Sequence, residues 1–294
     1  DVTIENIRWW LVGSTLLTFL VTLAIEFPFV LAALRKRERC VRKALAATLS
    51  IQAISYAVLV VLYVMASGAP MVTALKVVSP AEMGAPEGYS LYYITADGDR
   101  VVRSDLSGEN VETVCEVQAD RWGDRLFVRP RQESGYDLHL RVESGEETLL
   151  REDFAGAAAV EWRIAEDPAA AAVSTGANDG PVPQVGVESA WQYRTMREAI
   201  SGSTKDLEDR QSFQYYVHTP FAMWNVRNAA HIAGDLVVFQ LDLDQICILQ
   251  PQEKRIALIA RGKGPVVTKE KGLRGVRSLT QRHKDAKRRR SEEH

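Results

Sequence analysis

With 294 residues, 46% of them hydrophobic and 25% charged, and a formal net charge of −2, the chain has room for two domain-sized units, or for one β domain of about 200 residues beside a smaller element. What these totals exclude is an evenly charged chain, because the near-neutral sum is a cancellation: residues 80–190 hold 22 acidic against 9 basic side chains, and residues 250–290 hold 14 basic against 3 acidic. Apolar residues are segregated as well, crowding the first seventy positions.

Residues 9–34 and 44–66 are apolar runs long enough to cross about 30 Å of hydrocarbon at about 1.5 Å per residue, so residues 1–67 read as a transmembrane helical hairpin. The first run is too long for a signal peptide and ends in no small-residue cleavage site, which predicts a retained helix. A first residue of Asp1 reads as a processed or partial chain, open to residues before it. Between the runs, Arg35, Lys36, Arg37, Arg39, Arg42 and Lys43 outnumber the single acid Glu38, whereas the outer flanks carry only Arg8 and Lys76. An excess of basic residues marks a cytoplasmic loop, so everything after the second run is expected in the periplasm or outside the cell. Trp9, Trp10 and Tyr63 then fall at an outer aromatic belt.

Glu26 and Gln52 each lie about eight residues, or roughly 12 Å of helix, from the cytoplasmic ends of their runs, so an antiparallel hairpin brings them to one depth. There they can hydrogen-bond as polar glue between helices. Pro28 removes an N–H and crowds the carbonyl of Ala24, which predicts a bend or fraying beside Glu26. The other reading makes Glu26, Gln52, Ser55 and Tyr56 part of a proton or substrate path completed by other subunits, because an ionisable residue inside a membrane is costly to keep. The stretch Glu26-Phe27-Pro28-Phe29, followed by a basic loop and a second helix carrying an amide, resembles hairpins of uncharacterised bacterial membrane proteins, a resemblance that brings no activity with it.

After a Gly/Pro-containing linker over residues 68–88, residues 89–268 change to short strands punctuated by turns. Runs at 90–94, 100–105 and 111–117, joined by Asp97-Gly98 and Ser107-Gly108, predict a three-strand meander. A second is expected over 125–129, 136–142 and 147–151, and a third over 234–241, 245–249 and 255–260. Leu91-Tyr92-Tyr93-Ile94, the Asp97-Gly98 turn, Val101-Val102-Arg103-Ser104-Asp105-Leu106 and Ser107-Gly108 resemble the YWTD-type β-propeller repeat. That resemblance implies a propeller-like scaffold and no particular activity. The expected fold is therefore a membrane α-helical hairpin plus a mainly-β extramembrane domain of repeated meanders, propeller-like, closed or partial, or a β-sandwich.

A loop and helical insertion is expected over residues 167–210: an Ala-rich exposed loop, then partly helical spacing of Trp191, Tyr193, Met196, Arg197 and Ile200, then Ser203 and Asp206 in the pattern of a capping box. The aromatics that follow make Trp191, Tyr215, Tyr216, His218 and Trp224 either a recognition surface or core filling. Cys115 and Cys247 share the outer compartment, where they form either a disulfide or two buried thiols. His139, His218 and His231 have no second ligand at metal spacing, and Asp97-Gly98-Asp99 and Asp242-Leu243-Asp244 read as ordinary turns rather than calcium loops. Gly262-Lys263-Gly264-Pro265 has a superficial phosphate-loop flavour but opens no helix. No cofactor or metal is expected.

The basic tail, residues 269–294, is poor in apolar residues and expected to be disordered. Its composition would suit nucleic acid, but a tail following a translocated domain meets lipid headgroups or the acidic stretch instead. No standard catalytic spacing is present. The function expected is binding or assembly by a membrane-anchored extracytoplasmic β domain in a bacterial cytoplasmic membrane. Its partners would be the lipid bilayer, other membrane subunits or a second copy, and an outer ligand of unknown kind. The alternative is a subunit of a transport or enzyme complex that uses Glu26.

Overall fold

The computed structural model of the chain describes residues 2–66, 68–119, 121, 123–130, 136–152, 180–185, 189–206, 210–219 and 223–269. It opens with two antiparallel helices, α1 (Ile7–Leu34) and α2 (Cys40–Ala66). Both are long and apolar enough to cross a membrane. Trp9, Leu17, Phe29, Ile54 and Met65 point outward and exposed, the reverse of a core helix in water. Helix α1 stays unbroken through Pro28, so the expected fraying beside Glu26 does not occur.

The segment expected as a linker is instead ordered: α3 (Pro70–Thr73), β1 (Lys76–Val77) and a 3-10 turn (Pro80–Met83) follow in succession. Met71, Val72, Leu75, Val78 and Met83 recur every few residues and are all buried, which turns the stretch into a strap. Ser79 and Glu82 close the 3-10 turn with a reciprocal capping box.

The first meander is β2 (Tyr89–Thr95), β3 (Arg100–Ser104) and β4 (Glu112–Glu116), and the second is β5 (Arg125–Pro130), β6 (Tyr136–Arg141) and β7 (Glu147–Arg151). Next come β8 (Gly180–Pro181), β9 (Trp191–Met196), β10 (Ala199–Thr204), β11 (Ser212–His218) and β12 (Met223–Trp224), which form one antiparallel sheet in the order β12-β11-β10-β9-β8. The last strands are β13 (Val226–His231), β14 (Val237–Leu241), β15 (Gln245–Gln250) and the fifteen-residue β16 (Arg255–Lys269).

Two expectations fail here for identifiable reasons. The helix expected from Trp191 onward is the β9–β10 hairpin, with Met196 opposite Ala199 and Thr204 opposite Trp191. Trp191, Tyr193 and Thr195 are buried while Gln192 and Arg194 are exposed, so period-two alternation governs the segment. Ser203 therefore sits in a strand, and Gly180–Pro181, Trp191–Met196 and Ala199–Thr204 are strands of one sheet rather than a loop and helical insertion; residues 167–179, 186–188 and 207–209 of the expected insertion lie outside the described residues. The meanders also do not stay separate. Strand β16 pairs with β15 through Arg261 and with β2 from Gly262 onward, fusing the first and third meanders into one sheet, β13-β14-β15-β16-β2-β3-β4, with β1 parallel to the start of β16. The crossover falls at a bulge where Gly264 has φ +55°, and a Cβ there would come 2.5 Å from Arg125 Cα.

The fused sheet and the β8–β12 sheet pack face to face across one core, in which Trp191, Tyr193, Ile200, Tyr215 and Val217 meet Val237, Phe239, Leu241, Cys247 and Leu249. The start of α1 and the segment that follows α2 both enter that core. Ile4 and Ile7 are buried in it beside Met71, Val72 and Leu75, and the Ile4 N–H donates to Gln245 Oε1 at 2.7 Å. The Arg8 guanidinium donates to the carbonyls of Val72 and Leu75. Just past α2, Gly68 exchanges two backbone hydrogen bonds with His218 of β11, at 2.8 and 2.7 Å. A Cβ on Gly68 would lie 2.4 Å from the Tyr216 ring. We expect Ile4→Ala to cost about 2–5 kcal/mol, in line with other buried Ile truncations, and Gly68→Val to cost a further measurable amount, both read by denaturant unfolding of the β domain in detergent.

Candidate functional site

The two sites the sequence singles out are the polar pair in the helices and the aromatic segment of the β domain. The pair is formed: Gln52 Nε2 donates to Glu26 Oε2, and Gln52 is buried. It belongs to a longer seam: Ala44, Thr48, Gln52 and Tyr56 lie four residues apart along α2, the first three buried, and Gln52 and Tyr56 meet Glu26, Thr22 and Phe19 of α1. Thr22 Oγ1 and the Tyr56 hydroxyl lie 3.2 Å apart, and the Phe19 ring meets the Tyr56 ring edge-on with centroids 5.1 Å apart. Thr48 turns inward upon its own helix, donating to the Ala44 carbonyl. Ser55 is exposed and stands off the seam. Thr22 and Phe19 were not singled out from the sequence; their signal is the i, i+4 spacing of Thr22 to Glu26 and of Gln52 to Tyr56. Chemically the seam is a ladder of hydrogen bonds that holds two apolar helices in register.

The aromatic segment is not a surface. Trp191, Tyr215 and Trp224 are core residues, each 6% exposed, because they occupy the inward positions of β9, β11 and β12. Trp191, Tyr193, Phe213 and Tyr215 stack across the sheet with centroids 5.0 to 6.1 Å apart. Tyr216 lies over Gly68, and His218 is exposed with Nδ1 3.1 Å from Glu198 Oε2.

His231 is buried, with Nε2 2.8 Å from the Gly234 carbonyl and its ring edge-on to Tyr193 at 4.6 Å. Tyr193 in turn donates to the Asp235 carbonyl, and the Asp235 side chain accepts the N–H of Gln252. Burial pushes the Tyr193 phenol up and the His231 imidazole down from their ordinary values. His139 is stacked on Phe127 and is also shifted down, first by burial and then by Arg129. One carboxylate of each candidate turn is engaged by protein: Asp99 accepts from Thr95 Oγ1 and Arg100 Nε, and Asp244 from Arg261 Nε at 2.9 Å. Among the described residues no three His, Cys, Asp or Glu side chains gather as metal ligands.

Cys115 and Cys247 are free thiols rather than a disulfide. They lie on β4 and β15, four strand positions apart in one sheet. At about 4.8 Å per strand that is well beyond the roughly 7 Å Cα reach of a disulfide. Burial pushes both thiols up, Cys247 the more strongly. Within Gly262-Lys263-Gly264-Pro265, the Gly264 N–H already donates to Gln240 Oε1 and Lys263 Nζ to the Ala119 carbonyl, so this stretch is a sheet corner with its polar groups used. No protein-family model and no curated protein matches the chain.

Two outcomes follow from these environments. Glu26→Gln keeps a hydrogen-bonding partner for Gln52 and is expected to leave hairpin stability within about 1 kcal/mol, whereas Gln52→Leu strands the carboxylate and is expected to cost about 1–3 kcal/mol, measured by unfolding in micelles. Because the folded-state affinity of His231 and His139 for protons is depressed, their contribution to stability is fully present above an unfolded pKa of about 6.5 and is lost as pH falls below it. Thermal unfolding between pH 7.5 and 5 should therefore show a decline that His231→Gln makes shallower.

Proposed function

We propose that the chain is a membrane-anchored β domain that serves binding or assembly, with the helical hairpin crossing a bacterial cytoplasmic membrane and the β domain displayed in the periplasm or outside. The observation that carries this reading is the double attachment: the entry to α1 and the exit from α2 are both fastened to one β core, through Ile4, Ile7 and Arg8 on one side and Gly68 on the other. A domain fastened at two points within a few residues of membrane-length helices is held close to the bilayer in a fixed orientation, which suits presentation of a surface to a partner. Six basic residues in the α1–α2 loop support a cytoplasmic loop. The sandwich form of the scaffold is supported by the core shared between the fused sheet and the β8–β12 sheet, and the partial-propeller form by the three meanders. The bilayer is the first partner, and further membrane subunits, a second copy or an outer ligand complete the set.

The competing role, in which Glu26 serves a transport or enzyme complex, is less well supported, because its carboxylate is engaged by Gln52 in the seam between the two helices. In intact cells, a membrane-impermeant thiol reagent should label single cysteines introduced at Gly180 and Ser278, in a chain otherwise free of cysteine, and should leave Cys40 protected when it is the only cysteine. Labelling of Cys40 with protection of the other two would reverse the orientation and return cytoplasmic partners, nucleic acid included, to consideration.

A further inference from the structure

The β5–β7 sheet has two unlike faces. Leu126, Val128, Leu138 and Leu140 turn inward to a second core that they share with Tyr92, Ile94, Val101 and Val266 of the fused sheet. The opposite face carries Arg125, Phe127 and Arg129 on β5, Asp137, His139 and Arg141 on β6, and Glu147 on β7. Phe127 is 2% exposed although it lies on this outer face, because the guanidinium carbons of Arg129 and Arg141 sit 5.5 and 5.4 Å from its centroid and His139 stacks upon it. Glu147 pairs with both Arg129 and Arg141, so one carboxylate serves two guanidiniums.

A third arginine is left over. Arg125 stands directly opposite Arg141 in the β5–β6 register, and no described residue hydrogen-bonds or ion-pairs its guanidinium. Like charges placed across a strand pair are destabilising, and partial burial adds to the cost. Burial and Arg141 together press the Arg125 group below its ordinary proton affinity, with Glu147 the counteracting charge. Gly264 packs closely against the Arg125 backbone, so the arrangement is a half-buried Arg125 beside an Arg141 whose one carboxylate partner, Glu147, is shared with Arg129. Guanidiniums on neighbouring strands supply several N–H donors to one oxyanion, and a phosphate group, with more acceptor oxygens than a carboxylate, can engage both at once.

We propose that Arg125 and Arg141 form a binding site for a phosphate group, carried by a soluble phosphate compound or by a lipid headgroup. This deepens the binding role proposed above by naming a ligand chemistry, yet its test is independent of which side of the membrane the domain faces. The full chain in zwitterionic detergent is titrated with inorganic phosphate against chloride at constant ionic strength, and the unfolding temperature is followed. A saturable rise with phosphate alone is expected. Arg125→Gln, which removes no hydrogen bond among the described residues, should remain folded and bind at least about tenfold more weakly. Arg125→Lys, keeping the charge without the fork, should fall between, and Arg100→Gln, at the exposed Asp99 pair, should match the parent. An equal response in the parent and Arg125→Gln, or no response in the parent, overturns the proposal. In lipid nanodiscs, loss of the phosphate response when phosphatidylglycerol is included assigns the site to headgroups, and its persistence assigns it to a soluble ligand.

Discussion

Ile4 and Ile7 reach the core between two sheets immediately before the chain enters a 28-residue apolar helix. The attachment of the helices to the β domain depends on that insertion. It places the start of α1 beneath β14 and β15, where the Ile4 N–H finds Gln245, and it brings Arg8 against the carbonyl ends of α3. The strap from Gly68 to Met83 then fastens the other helix to the same core, with β1 completing an edge of β16. The helices would otherwise be tethers; with the start of α1 and the segment after α2 buried in one core, the pair is fastened to the domain's packing.

The parts legible in the sequence were those governed by local signals. Long apolar runs and a cluster of six basic residues mark the hairpin, and Asp97-Gly98 and Ser107-Gly108 mark the turns of the first meander. The depth match of Glu26 and Gln52 also needed only residue counting. Features that depended on distant partners were less visible. Met71, Val72 and Leu75 look like an ordinary post-helix linker until the core that receives them is known. The 255–260 run seemed to end at Gly262-Lys263-Gly264-Pro265, where glycine and proline usually terminate a strand; here they make a bulge, and β16 continues to Lys269 against β2. Trp191, Tyr193, Met196, Arg197 and Ile200 fit a helical spacing and a strand alternation at once, and the facing sheet decided between them.

The polar residues divide by environment rather than by type. Glu26, Gln52, Thr22 and Tyr56 are spent on each other where the helices touch. His231, Tyr193 and Asp235 knot the ends of strands in the main core, with proton affinities bent by burial toward the neutral forms of the two rings. The outer face of β5–β7 differs, because its charges do not close upon themselves.

Strand β16 is the shared rail of two meanders, and its position near the end of the described chain orders the assembly in time. Strand β2 leaves the ribosome long before the segment that covers its free edge, since Thr95 must wait for Gly262 and Tyr89 for Lys269. Until then the first meander keeps an unpaired strand edge, the kind of edge that recruits stray strands. Completion of the fold thus waits for β16, and a chain cut short before it would leave the β2 edge of the first meander and the β15 edge of the last uncovered together.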